Sequence, residues 1–203
     1  MALSTPLTKG ISLLEPGQSD PAVQELRARY LINETGYLSS PSQLVDNLGP
    51  QTGHVMVKNA EGRCIALLRL IHGGPAGFEL EPYLNPRDYM PVSDRSIEVS
   101  ELIVDSEARA STTTLQLGLG FAKYLKIHQP DTLFSLSTRE TASHYHRLGM
   151  TVRWDVSVRA IWGVEAWLCY AHPATVVLDH LLNNAPAVYR RTVAAYLDSE
   201  PVP

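Results

Sequence analysis

Two carboxylates three positions apart, Glu98 and Glu101, stand inside the run Ser96-Ile97-Glu98-Val99-Ser100-Glu101-Leu102-Ile103-Val104-Asp105. Ile97, Val99, Ile103 and Val104 give this run the β-branched content of a buried strand. A buried acid needs a partner, because an unpaired charge out of water is costly. Buried ionisable groups therefore cluster at sites, where they move protons or hold cations. Strand alternation sets residues 98 and 101 on opposite faces unless a bulge re-aims one of them. The structural alternative is a strand near an edge, with one acid solvated and the other paired with an arginine.

Further candidates lie on both sides of this run. Arg69, inside the apolar stretch Ala66-Leu67-Leu68-Arg69-Leu70-Ile71, requires an anion from this chain or from a ligand. Arg27 borders a stripe made by Val23, Leu26 and Tyr30, where a snorkelling side chain on a solvated shoulder is the plain expectation. Asp46 sits among turn residues. His144-Tyr145-His146 carries no metal expectation, since adjacent side chains on a helix do not converge on one ion. The glycines of Gln116-Leu117-Gly118-Leu119-Gly120 fall inside a helical pattern and read as close helix packing rather than a phosphate loop.

The elements that must position these groups follow in order. Asp20-Pro21 starts a helix that should stop near Gly36. Residues 38–51 read as a loop. Residues 54–58 and 64–71 form a hairpin across Asn59–Arg63. Residues 73–95 make a long Gly/Pro-rich connection, long enough to be functional or to pack over something. After the central strand come a helix at 112–128, a strand at 133–137, and a helix at 141–148 ended by Gly149. Strands at 150–158 and 162–170 and one or two helices over 173–197 complete the chain. This order predicts a mixed α/β single domain over residues 1–203, its sheet flanked by helices, with a C-terminal helical extension from about residue 173.

With 203 residues and 44% hydrophobic content the chain can bury a full core as one domain. A net charge of −4 without a Lys/Arg cluster argues against nucleic acid, and makes the whole molecule a poor match for an acidic carrier protein unless a local basic patch exists. Cys64 and Cys169 read as buried thiols of a reducing cytoplasm. Met1–Gln18 lacks the pattern of a signal peptide, and no run approaches the ~20 apolar residues of a membrane span. The expectation is a cytoplasmic protein with no membrane contact and a small-molecule substrate.

Four separated patches together resemble the acyl-homoserine-lactone synthases, which share the GNAT-type acetyltransferase fold. Leu26-Arg27, Leu31 and Gly36-Tyr37 resemble the family's N-terminal Arg…Phe…Gly-Trp pattern, with the arginine kept and both aromatic positions altered. Asp46 resembles the acid of the following loop, and Arg69 the arginine closing the second strand. Glu98-Val99-Ser100-Glu101-Leu102-Ile103-Val104-Asp105 resembles the signature Glu-x-Ser-Arg-Phe-x-Val-Asp, with Glu101 where the family has arginine. Beyond these four, Ser137-Thr138-Arg139 followed by Leu148-Gly149-Met150 resembles the last strand–helix unit. The resemblance spans about residues 20–157.

The resemblance implies S-adenosylmethionine as substrate, with no metal and no pyridoxal phosphate. Those enzymes acylate its amine from an acyl carrier protein; its carboxylate then attacks the carbon bearing the sulfonium, and methylthioadenosine leaves. By the same resemblance Arg27 or Arg69 grips the substrate carboxylate and Asp46 and Glu98 take the ammonium or its proton, while Leu31, Tyr37, Ser100, Thr138 and Arg139 complete the substrate site. The reversed charge at Glu101 removes a donor associated with the acyl side. The leading expectation is therefore ring closure without an acyl donor: loss of a Cα proton, attack on Cγ, and release of 1-aminocyclopropane-1-carboxylate and methylthioadenosine. Glu101 is the expected base and Tyr145 the reserve. The alternatives are an acyltransferase of the older kind, fed by acyl-CoA or an acyl carrier protein and using Tyr145 as general acid, and a non-catalytic binder of S-adenosylmethionine.

Overall fold

Asp20 opens the first helix as the sequence predicts: its side chain accepts the Ala22 N–H at 2.9 Å and Pro21 takes the first helical position. That helix, α1 (Pro21–Ala28), widens into a π-helical turn over Arg29–Glu34 before Gly36 ends it at φ 65°. π-Turns are rare and concentrate at functional sites. Here the turn carries Tyr30 and Leu31, two residues that later form part of a cavity wall.

The computed structural model describes residues 7–109, 112–159, 163–184 and 190–199. Seven strands, β1 (Ile11–Leu14), β2 (Thr52–Lys58), β3 (Cys64–His72), β4 (Ser96–Val104), β5 (Thr132–Ser137), β6 (Thr151–Arg159) and β7 (Glu165–Ala171), form one mixed sheet in the order β1-β2-β3-β4-β5-β7-β6. The expected hairpin is β2–β3. β1 was not expected; it pairs antiparallel with β2 along the edge. Trp162, the expected start of β7, lies outside the described residues. Cys64 and Cys169 are buried free thiols.

The two faces of the sheet are covered differently. On one, Val55, Leu68, Leu70 and Val99 pack against Leu117, Phe121 and Leu125 of α2 (Thr113–His128), with α3 (Arg139–Arg147) and α4 (Thr175–Asn183) beside it. α5 (Arg190–Asp198) docks on α2 through Val193 and Leu197. On the other face α1 and its π-turn bury Val23, Leu26 and Leu31 over Met56, Leu67 and Ile103. Beside them the 73–95 connection lies as a strap, burying Phe78, Leu80 and Met90 over Ile71, Phe134 and Leu168.

The parallel pair β4–β5 holds for three positions only, Ser96 with Thr132, Ile97 with Leu133 and Glu98 with Phe134. Beyond Glu98 the two strands part. A gap in the middle of a sheet must be filled by side chains or by a ligand, and this one opens beside the two acids picked out from the sequence.

The glycines of α2 divide as the packing requires. A Cβ on Gly120 would lie 2.5 Å from Val55 Cγ1 and 2.9 Å from Ile11 Cγ2, both stiff β-branched side chains, whereas one on Gly118 meets nothing within 4 Å. Gly118→Ala is expected to raise stability by about 0.5–1 kcal/mol, the helix-propensity difference, and Gly120→Ala to lower it by about 1–3 kcal/mol through overpacking. Urea titration of the two variants checks the opposite signs.

Candidate active site

A bulge in β4 brings the two acids together. Arg69 pairs with Ser100 and Leu67 with Ile103, so β4 has one more residue than β3 between these pairs. Glu101 adopts φ 43°, in the left-handed region that non-glycine residues seldom occupy. Ser100 lies opposite Arg69 and Glu98 opposite Ile71, two residues on, so Glu98 and Ser100 share the face of Arg69, and the bulge turns Glu101 onto it too. The strict alternation expected from the sequence is broken at this position.

Glu101 and Arg27 form a bidentate pair: Nε donates to Oε2 at 2.6 Å and Nη2 to Oε1 at 2.7 Å. Their side chains are 2% and 7% exposed, which makes the pair buried rather than a surface contact. Arg27 Nη1 donates to the Leu44 carbonyl at 2.9 Å and to Gln24 Oε1 at 3.3 Å. Arg27 therefore lies inside, where the sequence suggested a solvated shoulder. Arg69 donates through Nη2 to Asp46 Oδ2 at 2.5 Å and through Nη1 to Glu79 Oε1 at 2.7 Å, with Glu101 Oε1 3.8 Å away. Ser100 Oγ donates to the second oxygen of Glu79. Two guanidinium groups thus face three carboxylates, and each guanidinium is committed to this chain's own acceptors.

Glu98 is held apart from this exchange. Its Oε2 accepts the backbone N–H groups of Glu79 at 2.7 Å and Leu80 at 3.4 Å. Its Oε1 has no hydrogen-bond partner among the described residues, although the residue is only 3% exposed. Burial above all, and then the Glu79 charge, push the Glu98 carboxyl well above the ordinary range, against the pull of those N–H groups and of Arg69. His54, opposite Arg69 in β2, is kept neutral by burial and by the Arg69 charge, its pKa lowered to about 4.

Where β4 and β5 part lies a cavity of about 260 Å³. Of the residues singled out in the sequence, Glu98, Ser100, Glu101, Leu31, Tyr37, Thr138 and Tyr145 line it. Arg27, Arg69 and Asp46 do not line it; they stand in the charge network behind its wall. Arg139 is outside as well, with its guanidinium 5.9 Å from the centroid of the Trp154 ring. Glu79, Tyr30, Tyr83 and Glu140 line the cavity and were missed in the sequence. Glu79 had one local signal, an acid between two apolar residues, Phe78 and Leu80, in an otherwise Gly/Pro-rich connection.

A second cavity, about 660 Å³, lies between α2, α3 and α4 with Leu68, Leu117, Phe121 and Leu148 in its wall. It shares Leu102 and Tyr145 with the first. Tyr145 is 5% exposed; burial raises its pKa and keeps the phenol protonated. A third cavity, about 480 Å³, opens at the other end of β5 around Thr132 and His172. Its acid, Asp131, pairs in the open with Arg95, and the buried acids are elsewhere. Among the described residues no group of three His, Cys, Asp or Glu side chains is arranged to hold a metal ion, and no helix is long and apolar enough to cross a membrane.

This seven-stranded mixed sheet, splayed between its parallel strands β4 and β5 and flanked by helices, has the GNAT-like fold. An acyl-CoA N-acyltransferase from Pseudomonas aeruginosa superposes with a TM-score of 0.58 at 14% identity, over 79% of this chain and 97% of that one. Within that class the fold is the one found in acyl-homoserine-lactone synthases. The CoA-dependent acyl-homoserine lactone synthase BjaI, solved with SAM and isopentyl-CoA, superposes with a TM-score of 0.63 at 17% identity, over 85% of this chain and 87% of that one. The synthase LasI gives 0.62 at 18%, over 83% and 93%. No protein-family model and no curated protein sequence matches the chain. The expected fold is therefore the observed one, and at these identities the likeness establishes the fold alone.

Two expectations test the charge network. Arg27→Met leaves Glu101 buried without its main partner and should cost about 3–5 kcal/mol, while Arg27→Met combined with Glu101→Gln should recover a large part of that loss. Chemical denaturation of the four proteins in the cycle measures the coupling. Glu98 has the opposite sign. Its folded pKa lies above its unfolded value near 4.5, so its contribution is fully present below that value and is lost as pH rises through the folded one. Glu98→Gln should therefore gain melting temperature over the parent chain at about pH 8 and little of it near pH 4.5; a pH series of melting curves reads the difference.

Proposed function

We propose that this protein is an acyltransferase moving an acyl group from a thioester to the amine of a small organic cation, with S-adenosylmethionine the first acceptor to examine. One observation carries the reading: an acid-lined polar cavity and a larger apolar cavity share Tyr145 and Leu102. The polar cavity suits a cationic amine. The apolar one suits an acyl chain, delivered by acyl-CoA or by an acylated carrier protein.

The chain's own groups supply the chemistry. Glu98 Oε1, unpartnered and in a carboxyl of raised pKa, takes a proton from the acceptor's ammonium. The freed amine attacks the thioester carbonyl; the C–N bond forms, the C–S bond breaks, the departing thiolate takes a proton from the Tyr145 hydroxyl, and the proton lost by the acylated nitrogen restores the phenol. Burial keeps the Tyr145 phenol protonated, so its proton is present when the thiolate departs.

Ring closure to 1-aminocyclopropane-1-carboxylate without an acyl donor has less support. It asks an arginine to hold the substrate carboxylate and Glu101 to act as base. Arg27, Arg69 and Glu101 are instead engaged with one another and with Asp46 and Glu79. Glu98 is the base candidate left to it.

Incubation of the purified protein with S-adenosylmethionine, with and without medium-chain acyl-CoA and acylated carrier protein, separates the readings by mass spectrometry. The expected result is an N-acyl product only with a donor present. Methylthioadenosine released without any donor would sink the acyltransferase reading in favour of ring closure. Tyr145→Phe is expected to lower kcat about 100-fold, the usual share of one general acid, with little change in acceptor KM.

A further inference from the structure

Gly118 stands in the interior of α2, where glycine costs helix stability relative to alanine or leucine. The fold itself does not call for it. A Cβ at 118 meets nothing within 4 Å, whereas one at Gly120 runs into Val55 and Ile11, so packing accounts for the second glycine and not for the first. What Gly118 does border is the apolar cavity of about 660 Å³. Thr114 and Ala122, four residues before and four after it on the same side of α2, border that cavity as well.

The rest of the wall suits an alkyl chain. Leu68, Leu117, Leu148 and Leu181 belong to it, and none of its described residues is Asp or Glu. Its basic members stand at helix ends, His144 and Arg147 in the last turn of α3 and His180 in the last turn of α4. The apolar cavity meets the polar one at Leu102 and Tyr145. A thioester whose sulfur leaves beside the Tyr145 hydroxyl has its carbonyl at that junction, and its alkyl part then occupies the apolar side. The wall from Thr114 to Ala122 runs along about 12 Å of helix, eight steps of ~1.5 Å. An extended alkyl chain of bonds near 1.5 Å, laid in zigzag, covers that distance with about ten carbons.

We infer that the missing side chain at position 118 sets the length of the acyl chain, the open space over Gly118 holding the distal methylenes of a donor of about ten carbons. The inference rests on the acyl-transfer reading and narrows its donor to a medium-chain acyl thioester. A side chain at 118 would fill the same space with the protein's own carbons, and the protein would then hold only a shorter chain.

Calorimetric titration of the full chain with S-alkyl pantetheines tests it without turnover. These thioethers cannot react, and their arm is common to acyl-CoA and acylated carrier proteins. In the parent chain affinity should rise roughly tenfold for each two carbons added from butyl to decyl, as burial of two methylenes predicts, and then level off. Gly118→Leu should fold, since its Cβ has room and leucine favours a helix, and should lower the ratio of decyl to hexyl affinity by about tenfold or more. Gly118→Ala adds one methyl and should lower that ratio a few-fold; it carries the test alone where the leucine variant fails to fold. A parent series blind to length, a ratio unchanged in the variants, or an equal loss at every length, as general loosening of the structure gives, would each overturn the inference. Turnover separates it from the function on which it rests. The length series and its collapse in the variants, with no N-acyl product, keep Gly118 as the gauge of an alkyl ligand and discard acyl transfer. N-acyl product formed equally well from butyryl and decanoyl donors keeps the acyltransferase and discards the gauge.

Discussion

The buried fork between Arg27 and Glu101 is the constraint from which the rest of the site follows. Neither charge is tolerable alone at that depth, and the pair forms only because three separate parts of the chain agree on its position. α1 must carry Arg27 inward past its apolar stripe. β4 must bulge at a residue that resists positive φ. β3 must bring Arg69 alongside, and Arg69 in turn draws Asp46 from the loop before β2 and Glu79 from the strap. The backbone strain at Glu101 is repaid by two short charge-assisted hydrogen bonds, each roughly twice as strong as a neutral one. Position 101 is therefore a joint in the fold as much as a member of a site, and both of its oxygens are occupied by that task.

Glu79 links this network to the carboxylate left free. Its side chain closes on Arg69 and Ser100 while its own N–H donates to Glu98. Phe78 and Leu80, buried on either side, anchor the strap so that this residue cannot drift. The arrangement produces two acids of opposite character a few residues apart in β4: Glu101, matched to guanidinium groups, and Glu98, matched only to amides and set beside another negative charge. Environment rather than residue type separates the carboxylate that holds the structure from the carboxyl that can exchange a proton.

Much of the architecture was readable from periodicity: the β2–β3 hairpin, the bulk of β4, α2 and the α3–Gly149 stop all follow from local pattern, while close packing, expected for both α2 glycines, holds for Gly120 and not for Gly118. β1 escaped because Ile11–Leu14 is short and uniformly half-buried, with no alternation to detect. The bulge could be named as a possibility but not located, since no glycine or asparagine marks the left-handed position. The site suffered more than the fold. Sequence shows that Arg69 requires an anion, yet whether that anion is Asp46, Glu79 or a ligand depends on the path of a 23-residue connection, residues 73–95, which has no period at all. Arg27 looked like a shoulder residue because the helical stripe fixes which face a side chain is on, and not what waits opposite that face. The protein partners of both arginines escaped the sequence for one reason: they are distant in the chain, at separations of 74, 23 and 10 residues.

The charge at position 101 decides the sign of the cavity, and the backbone does not. A bulge here turns whichever side chain it carries toward Arg69 and the α1 face. In the signature that this stretch resembles, that side chain is a guanidinium, which would set three cations against Asp46, Glu79 and Glu98 and leave donors over for a carbonyl or a carboxylate. With Glu101 the count is reversed: two cations, three paired carboxylates and a fourth acid beyond them, so both guanidinium groups are matched and one acid is left over. Since like-signed surplus in a partly buried site is neutralised only by a ligand or by protons, the raised pKa of Glu98 and the absence of a basic residue from the described cavity wall are two expressions of the same excess. A site in that condition favours an occupant that brings positive charge beside Glu98.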